Sequence, residues 1–164
     1  MIEGQKVRQD LTVKGESVER IFGNYQAWRY IVNRRYQRKL VWTLDEKRRF
    51  IDSIINGYPV PIVLLAERKL ATGANQFEII DGMQRLNAIF GFLENEYSVN
   101  GFFFDLNTMA ETKALLDANK LSQREPLLAR DVCVQIGVFV GQEPRRRDSC
   151  AESVRRHFVL HRRS

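Results

Sequence analysis

The chain has 164 residues, 44% hydrophobic and 28% charged, with 26 Lys and Arg against 20 Asp and Glu. That length and balance suit one globular domain with its own core, large enough to need no disulfide or metal staple. They exclude a disulfide framework and a membrane span: two cysteines, Cys133 and Cys150, fit a reducing, cytoplasmic setting, and apolar runs such as residues 62–66 are too short for a bilayer. The first residues have no apolar run of signal-peptide type.

The net charge of +6 is unevenly spread. Residues 141–164 hold seven Arg and three acids, so most of the excess lies there. One further island, Arg20, Arg29, Arg34, Arg35, Arg38 and Lys39, has no acid between Glu19 and Asp45. The remaining body is nearly neutral.

In chain order, residues 1–18 are polar without period and read as a flexible lead-in. Residues 28–32 are aromatic and β-branched, which predicts a short strand. A basic loop, residues 33–39, follows. Thr43-Leu44-Asp45-Glu46 is a capping box, and Phe50, Ile51, Ile54 and Ile55 continue it as one helical face. Gly57, Pro59 and Pro61 stop that helix. Residues 62–66 and 77–80 read as two strands able to pair across a polar loop. Asp81-Gly82 breaks the second strand, and Leu86, Ile89, Phe90 and Leu93 mark a helix over about 83–94. Residues 97–105, with three consecutive phenylalanines, predict another strand, and 112–120 a short helix. From about residue 137 the periodicity fades into a basic tail. The whole predicts an α+β domain over 19–136, with 137–164 as a truncated or non-native continuation.

The chemistry concentrates in Ile79-Ile80-Asp81-Gly82-Met83-Gln84-Arg85. A strand delivers a carboxylate to a tight turn, and a helix begins at once. Helix N-terminal amides and the peptide dipole favour an anion such as phosphate. Gly82 permits close backbone approach, and Arg85, one turn in, can offer a planar fork to phosphate oxygens. Asp81 beside a phosphate makes sense if it holds a divalent cation, accepts from a ribose hydroxyl or orients a water. The same residues also allow a purely structural role, with Asp81 as an N-cap and Gln84 completing an Asp-x-x-Gln box. Arg34, Arg35, Arg38 and Lys39, interleaved with Tyr36 and Trp42, can track a nucleic-acid backbone or form a solvated loop. The histidines, His157 and His161, and the cysteines have no zinc-site or nucleophile spacing.

The ordered set Tyr36-Gln37-Arg38-x-x-x-Trp42, Ile51-x-Ser53-Ile54, Gly57-Tyr58-Pro59-Val60-Pro61 and Ile80-Asp81-Gly82-Met83-Gln84-Arg85 resembles the N-terminal domain of GmrSD-type, modification-dependent restriction endonucleases. The resemblance spans about residues 25–130 and implies a ParB/sulfiredoxin-like fold, a small mixed sheet with flanking helices. It implies NTP binding and hydrolysis with a cation such as Mg2+. In that reading Asp81, Gln84 and Arg85 are catalytic, with Asp81 at the cation. Gly82, Arg85 and Arg38 hold the nucleotide, and Arg34, Arg35, Arg38 and Lys39 meet DNA. Met83 stands where the family has a glutamine, so that side chain's amide chemistry is lost. Residues 81–85 contain no cysteine, which argues against sulfiredoxin-type thiol repair, and no His precedes position 157, so a His-Asn-His nuclease would come from a separate module or subunit. The expected function is a nucleotide-binding, NTP-hydrolysing domain of a phage-defence endonuclease; the alternative is a non-catalytic DNA-binding or regulatory module.

Overall fold

A computed structural model of the chain describes residues 12–32, 40–127 and 135–142. Its elements are β1 (Thr12–Ser17), α1 (Val18–Gln26), β2 (Tyr30–Val32), α2 (Leu44–Ile55), β3 (Val63–Lys69), β4 (Asn75–Asp81), α3 (Met83–Leu93), α4 (Ala110–Asp117) and β5 (Gln135–Gln142). The strands form one mixed sheet in the order β1-β5-β3-β4-β2. β3 and β4 are an antiparallel hairpin, β2 adds to β4 in parallel, β5 adds to β3 in parallel, and β1 closes the far edge antiparallel to β5. The fold is α+β, as the alternation of strand and helix patterns predicts.

α3 is the central helix. Every residue from Leu86 to Leu93 is buried, so it is enclosed on all sides, unlike a surface helix with one apolar stripe. Around it pack Ile21 and Phe22 of α1, Ile51 and Ile54 of α2, Val63 and Leu65 of β3, and Ile79 of β4. α2 forms as its sequence requires. The Thr43 hydroxyl accepts from the Glu46 amide at 3.3 Å, and the Glu46 carboxylate accepts from the Thr43 amide at 2.6 Å.

Among the described residues, α1 to α4 end in the same way. The residue after the C-cap turns left-handed and donates three residues back, and the next residue donates five back, which is a Schellman motif. The left-handed positions are Gly57 after α2, Asn95 after α3 and Asn119 after α4, all residue types that tolerate positive φ. After α1 the position is taken by Trp28, at φ 56°.

Several expectations need correction. The stretch 1–18 contains β1, and Ser17 caps α1 by accepting from the Arg20 amide at 3.2 Å. The polar sequence of β1 hides a strand because its partner, β5, is distant in the chain; neither strand reveals itself alone. β5 also carries the sheet past the expected boundary at 137, as far as Gln142. The remainder of the basic tail, 143–164, lies outside the described residues. Residues 97–105 form no strand. Asn100 and Gly101 both take positive φ, turning Val99 back onto Phe102 in a tight reversal, and Phe103 makes only a single bridge to Pro126. The strand expected over 28–32 is shortened to β2 because Trp28 and Arg29 belong to the α1 termination.

Candidate functional site at the β4–α3 turn

β4 buries Ile79 and ends on Asp81, which pairs with Leu64 just beyond an irregularity in β3. Gly82 then takes φ +100° and becomes the N-cap of α3. Two requirements meet there. The backbone is left-handed, and a Cβ would lie 3.0 Å from Val63 Cγ2 and 3.3 Å from Arg85 Nη2. A glycine N-cap has no side chain to satisfy the helix amides, and α3 begins without a side-chain cap.

Asp81 therefore does not cap α3. Its Oδ2 lies 2.6 Å from Arg85 Nη2, an i,i+4 ion pair across the turn. The same Nη2 donates to the Ile62 carbonyl at 3.1 Å, so the guanidinium is anchored to the segment entering β3. The pair is asymmetric: the Arg85 side chain is 16% exposed and the Asp81 carboxylate 63%. Arg85 Nε is buried with no hydrogen-bond partner. Its fork is thus held at the first turn of α3 with donor capacity to spare, while the carboxylate opposite faces water.

Gln84 turns to another task. Its Oε1 accepts from the Trp42 amide at 3.3 Å, which fastens the segment before α2 to the start of α3. The Trp42 ring meets Phe50 edge-on at 5.4 Å. The expected capping box of Asp81 with Gln84 is absent, since neither side chain's described bond serves it. Asp81, Gly82 and Arg85 are brought together; Gln84 joins them through the helix. Arg34, Arg35, Arg38 and Lys39 lie outside the described residues. Among the described residues, no group of three or more His, Cys, Asp or Glu is placed to hold a metal. A lone exposed carboxylate suits Mg2+, which is bound by one or two carboxylates together with substrate phosphates, better than a cation needing an all-protein cage.

On another face of α3, Met83, Asn87 and Phe90 line a recess completed by Tyr25, Trp28 and Tyr30. Of these, Tyr25 and Asn87 belong to no motif legible in the sequence. An asparagine inside the apolar run 86–93 is the one signal that pointed there.

These features define a class: an α+β domain whose hairpin strand passes through a glycine turn into a buried helix, with an Asp–Arg pair at the joint. The chain belongs to the family of GmrSD restriction endonuclease N-terminal domains, whose model matches residues 18–149. It is thereby related to the restriction endonucleases of phage defence, which act on DNA. No curated protein and no solved structure matches the chain. Among the described residues no helix is long and apolar enough to cross a membrane.

Proposed function

We propose that this domain binds a nucleoside triphosphate with a divalent cation such as Mg2+ at the β4–α3 turn, and hydrolyses it in the service of cytoplasmic DNA restriction. The observation that supports this reading best is the Asp81–Arg85 pair, 2.6 Å apart beside a helix start that no side chain caps. A purely structural turn has no need of a carboxylate facing solvent there. The amides of the first turn present partial positive charge to an anion. Arg85, fixed by the Ile62 carbonyl, exchanges its bond to Asp81 for one to a phosphate oxygen. Asp81, released from that bond, accepts a proton from a water or enters the cation's shell. Mg2+, when bound, supplies neutralisation of phosphate charge. Gln84 holds Trp42, and with it the chain that follows the basic loop, against α3. In this reading the fold is ParB/sulfiredoxin-like, Arg38 meets a second phosphate, and Arg34, Arg35 and Lys39 meet DNA. Strand cleavage belongs to this domain or to a separate His-Asn-His module.

Thermal unfolding with ATP, GTP and CTP, with and without Mg2+, tests the reading. At a hundredfold excess over Kd a ligand adds about 2.7 kcal/mol, a shift of several degrees for a domain of this size. The expected result is such a shift for the wild type, its loss in Arg85→Ala, and retained binding without phosphate release in Asp81→Ala. No shift with any nucleotide would leave the non-catalytic DNA-binding module as the better reading.

A further inference from the structure

The recess beside α3 has a lining unlike its surroundings. It is a shallow, open recess between the end of α1, β2, β4 and α3, with room for the centre of a water-sized sphere over about 30 Å³. Its walls are rings: Tyr25 stacks on Phe90 at 4.1 Å, and Tyr30 lies 6.2 Å from the same ring. Met83 adds a polarisable thioether.

Two further observations point to a ligand. Asn87 is only 6% exposed, and its carboxamide oxygen has no hydrogen-bond partner. A buried carbonyl left unpaired carries its full desolvation penalty. The other is Trp28, at the left-handed position of the α1 Schellman motif, where the three sister helices carry Gly or Asn. A bulky residue is disfavoured in that conformation. Trp28 is 67% exposed and lines the recess. The unsatisfied Asn87 oxygen opposes folding, and a ligand that donates to it in the recess would satisfy it.

We infer that this recess binds a nucleobase, stacked among Trp28, Tyr30 and Phe90 and read at its edge by the Asn87 carboxamide. A carboxamide offers a donor and an acceptor side by side, the complement of the donor–acceptor pairs on base edges. The aromatic rings supply the sequence-tolerant stacking. The base comes either from a free nucleotide, in which case the recess is the base end of the proposed triphosphate site and rests on that reading, or from an unpaired base of DNA. Met83, directly after Gly82, links the recess to the phosphate-binding turn.

Trp28 and Trp42 are the chain's two tryptophans, so in a Trp42→Phe background the fluorescence reports Trp28 alone. Free nucleosides carry no phosphate and test the recess independently of the turn. Saturable quenching by at least one nucleoside is expected, with Kd raised about tenfold or more in Asn87→Leu. Trp28→Gly and Trp28→Asn are expected to fold at least as stably as wild type and to lose nucleoside binding by calorimetry to the same degree. Tighter binding of the matching triphosphate names the nucleotide as source. Tighter binding of an intact single-stranded oligonucleotide than of its abasic counterpart names DNA. Nucleotide binding that keeps full affinity in Trp28→Gly and Asn87→Leu would overturn the nucleobase site while leaving the turn intact. Absence of any nucleoside, nucleotide or oligonucleotide effect on Trp28 would overturn it as well.

Discussion

Asp81 has two local bonds within reach and makes one of them. The sequence Asp-Gly-x-x-Arg permits both a cap on the helix amides and an ion pair one turn along, because both lie within reach of the same carboxylate. The choice is made by Gly82. At φ +100° it occupies the N-cap position itself and leaves Asp81 on the strand, facing Arg85. The strand break and the helix start are therefore legible from Asp81-Gly82 alone, whereas the partner of Asp81 is not, since it depends on a backbone dihedral that the residue pattern leaves open. Gly82→Ala tests this. The added methyl meets Val63 at 3.0 Å in a conformation an L-residue resists, so a loss of about 1–3 kcal/mol is expected in urea unfolding. Gly82→Ala should also weaken nucleotide binding beyond what the stability loss explains.

At the scale of elements, the readable pieces are those whose instructions are local. α2 announces itself through Thr43 and Glu46, which make both bonds of the box. Thr43→Ala removes one of them outright, and a stability loss of about 1 kcal/mol is expected in urea unfolding. The β3–β4 hairpin and α3 are legible for the same reason: period and turn residues sit side by side. The failures share a cause too. The phenylalanines of 97–105 have high strand propensity, but that propensity measures fit to a half-buried sheet surface and no sheet edge is offered there. α1 is hidden because its start lies in a polar stretch and its end at Trp28 breaks the rule that a glycine or asparagine marks the stop. The recess falls in the same class. Its rings come from three elements, and only Asn87 stands out in the linear pattern.

For the whole molecule, the buried tyrosines couple the fold to alkaline pH. Burial pushes the Tyr30 hydroxyl from its ordinary value of 10.0 up to about 12, and burial raises Tyr25 and Tyr97 further, with help from Glu94 and Glu96. The unfolded chain gives up these protons near pH 10, while the folded chain holds them. Their contribution to stability is complete below pH 10 and falls as pH rises from there toward 12. Urea midpoints taken from pH 8 upward should be flat and then decline. Tyr30→Phe, which removes the group without removing the ring, should make the decline shallower.

The sheet's connectivity also constrains how the protein is made. β5 lies between β1 and β3, and β1 joins the sheet only through β5. On a ribosome, α1, the hairpin and α3 emerge well before residue 142. Until then the outer edge of β3 has no partner, a row of open backbone donors and acceptors on an apolar strand. Closing it brings β5 beside β3, whose partners such as Val63 and Val138 lie far apart in the chain, the kind of contact that forms late and slowly. The nascent chain thus passes through a stage in which that edge is open to pairing with another chain.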